Sequence, residues 1–187
     1  LNWEYPITES VYRKLSRPIA KFLNKWSVDP NYVTILSALI GVISSVLIAT
    51  GKFWISILAI LVSQVLDCAD GDLARISNKV SNKGAYLDTM LDRLVDSSLI
   101  IGLVARDPNN WFLGMLALSS SLIVSFSRAA AESRGISCKV GIGGRDFRLL
   151  TIMIGLLLGR IEETLLLLFL VSSLTVLQRS SLALRKL

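Results

Sequence analysis

Apolar residues run along this chain in long blocks closed by short polar breaks. "YVTILSALIGVISSVLIAT" is cut by Gly51 and Lys52, and "FWISILAILVSQVL" follows at once. Blocks of this length approach the roughly 20 residues that an α-helix needs to cross a bilayer. Hydropathy and punctuation predict six such helices, over residues 31–50, 53–76, 84–104, 111–134, 146–158 and 162–184. Ahead of them, Val11, Leu15, Ile19, Phe22, Leu23 and Trp26 recur at helical spacing, with Arg13, Lys14, Arg17, Lys21 and Lys25 filling much of the remainder. That pattern predicts an amphipathic helix lying on the membrane surface against anionic headgroups, kinked or divided at Pro18. The expected fold is all-α. A cytoplasmic arm with the surface helix (1–29) precedes an integral membrane bundle of six transmembrane helices (30–187).

Charge orients the bundle. The turns at Lys52, Arg106 and Arg160 hold three of the 20 basic residues. Sixteen lie in the arm, the alternate connections and the C-terminus, with Arg93 inside the third helix. Positive charge marks the cytoplasmic face of a bacterial-type membrane, so both termini are expected inside. The net charge of +6 then follows from topology and gives no support to nucleic-acid binding. Composition narrows the chemistry further. Without a single histidine, any metal must be held by oxygen, which points to Mg2+, Mn2+ or Ca2+. Cys68 and Cys138 are expected to be small packing residues. A chain that begins at Leu1 rather than Met suggests a piece of a longer protein.

Against this apolar background the carboxylates stand out. "LDCADGDLAR" closes the second predicted helix, and "LDTMLDRLVD" lies in the third. At about 100° per residue, Asp67, Asp70, Gly71 and Ala74 share one arc, with Arg75 at its margin and Asp72 pointing almost the opposite way. On the next helix Gly84, Asp88 and Asp92 form a strip, with Asp96 one turn deeper. Antiparallel packing of the two helices would bring Asp67, Asp70, Asp88 and Asp92 together. Four anions cannot share a low-dielectric site uncompensated, so either they are mostly protonated or cations neutralise them. One arginine does not offset four acids, whereas two divalent ions do, and paired metals are a recurrent device for displacement at phosphorus. Gly71, Ala74 and Gly84 leave an open floor for a ligand, and Arg75 is placed to clamp a phosphate. The alternative is a membrane cation or proton transporter using the clustered aspartates. It predicts acids spread through the membrane depth, whereas these gather at one face.

The spacing Asp67-x2-Asp70-Gly71-x2-Ala74-Arg75-x8-Gly84-x3-Asp88-x3-Asp92 resembles, position for position, the signature of the CDP-alcohol phosphatidyltransferases. "DPNYVT", with Pro30, Asn31 and Thr34, is similar to the family's Pro-Asn-x-x-Thr opening of the first span. "SFSRAAAESRG" resembles its fourth-helix pattern, with Phe126 in place of the usual Tyr. The resemblance implies transfer of a substituted phosphoryl group from a CDP-alcohol to a hydroxyl acceptor, with release of CMP and use of Mg2+ or Mn2+, two ions per site. It implies Asp67, Asp70, Asp88 and Asp92 as metal ligands and Asp92 as general base. It further implies a CDP site comprising Asp67, Asp70, Gly71, Ala74, Arg75, Gly84 and Thr34.

Asp96 is expected to pair with Arg93 or with a neighbouring helix. For the acceptor, Arg128, Arg134, Lys139, Arg145 and Arg148 cluster around a flexible "GIGG" at 141–144, as topology alone would place them. Arg128, Arg145 and Arg148 would suit an acceptor bearing phosphate, such as an inositol phosphate or another polyol phosphate. "GGRDFRLL" resembles family members that handle inositol phosphates, some of which carry a soluble cytidylyltransferase domain in front; such a fused N-terminal domain is one expectation here. Small residues Gly114, Ala117, Ser119, Ser120 and Ser121 suit close helix approach, within one chain or across the homodimer common in the family. The expected location is the cytoplasmic membrane, with the active site on the cytoplasmic side.

Overall fold

The computed structural model describes residues 8–138 and 140–187. All regular structure among them is helical. A π-helical turn, Thr8–Tyr12, runs into α1 (Arg13–Lys25). Next come α2 (Pro30–Ala49), α3 (Phe53–Ile76) and α4 (Asn82–Arg106). A 3-10 turn at Pro108–Asn110 leads to α5 (Trp111–Glu132), α6 (Arg145–Leu158) and α7 (Ile161–Lys186). Helices α2 to α7 overlap the six segments picked out by hydropathy, but not all six qualify as spans. Four stretches are long and apolar enough to cross a membrane: α2, α3, α5 with its leading turn, and α7. α4 carries Asp88, Asp92, Arg93 and Asp96, and α6, with 14 residues, is only about 21 Å long. The protein is an integral membrane protein in which four helices have the length and composition of spans. Residues 1–7 of the expected arm lie outside the described residues.

Two compact units make up the described chain, Ile7–Gly102 and Leu103–Leu187. In the first, local chemistry sets each boundary. The Asp29 carboxylate accepts a hydrogen bond from the Asn31 amide at 2.9 Å and Pro30 fills the first helical position, so α2 starts where the sequence offers its cap. α1 passes through Pro18 without dividing. It ends at Ser27, which takes a left-handed φ of 53° while the Val28 amide donates back to the Leu23 carbonyl. Leu23 and Val28 then close over Ala20, Val33 and Leu73, tying α1 to α2 and α3. The buried side of α1 is Tyr12, Ser16 and Ala20; Val11, Leu15, Phe22 and Trp26 are exposed beside Lys14, Arg17, Lys21 and Lys25.

Where lipid is as apolar as leucine, helices associate through close packing and hydroxyl hydrogen bonds. From α3, Ser56 donates to the Ser44 carbonyl at 2.9 Å and Ser63 to the Ser37 carbonyl at 2.8 Å, both on α2. α4 approaches α2 at two places: Gly41 meets Val95, and Gly102 lies so near Ser45 that a Cβ would stand 2.5 Å from the Ser45 carbonyl oxygen.

In the second unit α7 packs on α5 and α6. Of the small residues on α5, Gly114, Ala117, Ser120 and Ser121 are buried within the chain, Ser121 lying 3.4 Å from Ser172 of α7, while Ser119 is exposed. The connection before α6 is pinned rather than flexible. Buried Arg179 donates to the Val140 and Val124 carbonyls at 2.9 and 2.7 Å, and the Gly143 amide donates to the Thr175 hydroxyl at 2.8 Å. Gly141 and Gly143 are glycines because the loop lies directly against Thr175. Cys138 is buried with Ala131 and Ile136, as a packing residue.

Gly102→Ala should destabilise the protein by about 1–3 kcal/mol, because the new methyl meets backbone that cannot rotate away. Thermal unfolding in detergent would show a midpoint several degrees lower. An unchanged midpoint would mean that the α2–α4 approach is looser than described.

Candidate active site

The acids on α3 and α4 come together because of how the two helices are joined. α3 ends in a left-handed turn: Asn78 takes a φ of 56°, its amide donates to the Arg75 carbonyl at 3.4 Å, and the Lys79 amide donates to the Ala74 carbonyl at 2.9 Å. Asparagine tolerates that conformation better than most side chains, so a short linker stops one helix before the next begins. Ser81 then supplies its hydroxyl to the Gly84 amide at 3.1 Å, covering an unpaired donor at the start of α4.

One carboxylate oxygen from each of Asp67, Asp70 and Asp88 lies within 4.8 Å of the others. Asp70 is buried, and Asp67 and Asp88 are half-buried. At an effective dielectric of about 20, each such pair of charges repels by about 3 kcal/mol. Three pairs together approach the stability of a whole domain. The cluster therefore calls for a cation. The residues fit one: Asp70 Oδ2 is buried with no hydrogen-bond partner among the described residues, and the donors are all oxygens of a kind that suits Mg2+ or Mn2+.

Beside the cluster opens a cavity of about 320 Å3. Pro30, Asn31 and Thr34 of α2 form one wall, Asp70, Gly71, Ala74 and Arg75 of α3 another, and Gly84, Ala85 and Asp88 of α4 a third. Lys79, Val80 and Ser81 of the linker also line it. At Gly71 the nearest atom to an added Cβ would be Arg75 Nη2, 3.5 Å away, which is ordinary contact. Nothing in the fold requires glycine there; an occupant of the cavity would.

The structure thus joins Asp67, Asp70, Gly71, Ala74, Arg75, Gly84, Asp88 and Thr34 in one place. Asp92 stands one turn further along α4, outside the 4.8 Å group, with Oδ2 3.7 Å from Arg93 Nη2. Asp96 pairs with Arg93 at 3.5 Å, as expected from their spacing. The arginines considered for an acceptor belong to the other unit. Arg128 donates to Glu132 at 2.8 Å, Arg145 is half-buried, and buried Arg148 donates to the Gly143 carbonyl at 2.8 Å. Lys139 lies outside the described residues. Sequence reasoning passed over Lys79 and Ser81, which carry no motif, and Asp72, whose three-residue offset from Arg75 was the available signal. The Asp72 carboxylate in fact receives Arg75 Nη2 at 2.8 Å.

The chain is similar to several known proteins. The family model described as CDP-alcohol phosphatidyltransferase matches residues 28–178. The archaetidylinositol phosphate synthase of Methanothermobacter thermautotrophicus is 34% identical over 157 residues, 82% of this chain and 80% of that one. The crystal structure of Mycobacterium tuberculosis phosphatidylinositol phosphate synthase with CDP-DAG bound is similar with a TM-score of 0.83 at 25% identity, over 91% of this chain and 94% of that chain. A structure of the same protein with manganese and citrate matches with a TM-score of 0.82 at 25% identity, over 90% and 88% of the two chains.

Asp70→Asn should weaken Mn2+ binding at least about tenfold, since loss of a ligand should cost no less than loss of an outer-shell partner. Titration of free Mn2+ by electron paramagnetic resonance measures it, and undiminished affinity would remove the cation from this site. Gly71→Ala should keep or raise the unfolding midpoint, because alanine favours helix by about 1 kcal/mol, while CDP affinity falls. Retained CDP affinity would show that the floor is not in contact with the ligand.

Proposed function

Since the chain belongs to the CDP-alcohol phosphatidyltransferase family, and is thus an enzyme that transfers a substituted phosphoryl group from a CDP-alcohol to a hydroxyl acceptor with release of CMP, we propose that its donor is a CDP-linked lipid and its acceptor an inositol phosphate. The observation that carries the reading is the convergence of three carboxylates on a cavity floored by Gly71 and edged by Arg75. The acceptor is supported by the names of relatives, which are inositol phosphate lipid synthases. A site at the end of membrane helices lets the lipid tails stay in the bilayer while the nucleotide and a polar acceptor enter from water.

In this reading Asp67, Asp70 and Asp88 hold the divalent ions, with Asp92 joining them from the next turn of α4. When bound, the ions withdraw charge from the diphosphate and make its phosphorus open to attack. Gly71 and Gly84 leave room for the cytidine, Thr34 and Ala74 complete its walls, and Arg75 meets the diphosphate. Asp92 accepts the proton of the acceptor hydroxyl as its oxygen bonds to phosphorus. The phosphoanhydride bond breaks, and its electron pair leaves with CMP. Arg128, Arg145 and Arg148 are assigned to the acceptor's phosphate, Arg128 foremost as a charge within a helix of spanning length.

The membrane reading extends to all of α2 to α7. α4 has 25 residues and carries no acid after Asp96, and basic residues on either side of α6 differ in number as they would across a membrane. That asymmetry supports a topology with both termini and the carboxylate cluster on the cytoplasmic side. α1 then lies on that surface, with Leu15, Phe22 and Trp26 toward lipid. Pairing of two chains and a soluble domain ahead of α1 complete the proposed assembly.

The purified protein should release CMP in the presence of Mn2+ only when a CDP-lipid and an inositol phosphate are supplied together. Asp92→Asn should lower kcat at least about 100-fold, in line with loss of a general base, and EDTA should abolish turnover. CMP release that is indifferent to the inositol phosphate would reject the acceptor, and full activity of Asp92→Asn would reject the base.

A further inference from the structure

Asp72 falls outside the signature and on the side of α3 turned away from the carboxylate cluster, yet both of its oxygens are engaged. Oδ2 receives the hydroxyl of Ser16 at 2.7 Å, and Oδ1 receives Nη2 of Arg75 at 2.8 Å. The two partners differ in freedom. Ser16 is fully buried on α1, which packs along α3, whereas the Arg75 side chain is 58% exposed and that of Asp72 only 11%. The fixed end is the serine, the loose end is the arginine, and the aspartate joins them.

Arg75 lines the cavity, and its Nη2 lies over Gly71. A mobile guanidinium beside Asp67, Asp70 and Asp88 would be drawn onto those carboxylates and compete for the oxygens that suit a cation. Asp72 supplies a different anion, on the far side of the helix. Because the guanidinium has five N–H donors and the bond to Asp72 uses Nη2, Nε and Nη1 remain available to a phosphate.

We propose that Asp72 is a positioning residue for the donor's diphosphate: anchored by Ser16 of α1, it holds Arg75 at the Gly71 edge of the cavity and off the metal-holding carboxylates. The inference rests on the donor site described above. It makes α1 part of the nucleotide site's support as well as a surface helix.

The test is CDP binding by calorimetry on the full chain in detergent with Mn2+, together with steady-state kinetics on the CDP-lipid. Asp72→Ala should weaken CDP about tenfold and raise the donor KM by a similar factor, with kcat within about twofold, as loss of one charge-assisted bond's orienting effect predicts. Ser16→Ala should move both in the same direction by about threefold. In an Arg75→Ala background, Asp72→Ala should add less than about twofold, because it acts through the arginine. Asp72→Asn, which keeps the side chain's volume and one acceptor oxygen, serves if the alanine variant does not fold, and should fall between wild type and Asp72→Ala. Equal losses with and without Arg75, a fall in kcat at constant KM, or unchanged CDP affinity in Asp72→Ala would each overturn the proposal. If Arg75→Ala itself leaves CDP affinity intact, the diphosphate role of Arg75 fails too; a loss there beside a silent Asp72→Ala rejects only the positioning role.

Discussion

Charge repulsion among Asp67, Asp70 and Asp88 sets the terms for the unit that contains them. Carboxylates within 4.8 Å of one another, one of them buried, do not persist in membrane helices unless the surrounding packing forces them together and a cation rewards the arrangement. The force comes from features far from the acids. Serine hydroxyls clamp α3 to α2, Gly102 lets α4 touch the α2 backbone, and Asn78 turns the chain in the few residues between α3 and α4. Each contributes modestly. Together they fix the helix positions that the cation then exploits, which is the usual division between a rigid scaffold and a destabilised site.

The remaining charges are distributed so that few are left without an opposite partner near the cluster. Arg93 lies between Asp92 and Asp96, and Arg75 is tied to Asp72. In the unit formed by Leu103–Leu187 arginine has a different use. Arg179 and Arg148 donate to the Val140 and Gly143 carbonyls of a loop that makes no regular structure, supplying in an apolar setting the hydrogen bonds that water would otherwise provide.

Glycine serves two separate needs. At Gly102 and Gly143 it admits a neighbouring helix, and a side chain would collide with protein. At Gly71 it admits nothing that the protein itself contains. Glycine there leaves the cavity beside it open.

The sequence by itself determined the helices, because long apolar blocks with polar punctuation have few other solutions in a bilayer, and the acid spacing of 67, 70, 88 and 92 is legible on helical faces. It also carried the family, since eight fixed positions leave little room for coincidence. Tertiary structure decided what periodicity does not encode. α1 continues through Pro18 because it is held along α3. Gly141 and Gly143 mark contact with Thr175 instead of freedom, and three of the four acids share a volume that Asp92 only adjoins. Asp72 shows the difference most plainly. Its direction away from the cluster was readable at 100° per residue, but a long arginine reaches around a helix, and only a folded chain reveals that Ser16, 56 residues earlier, waits on that side to hold the acid in place.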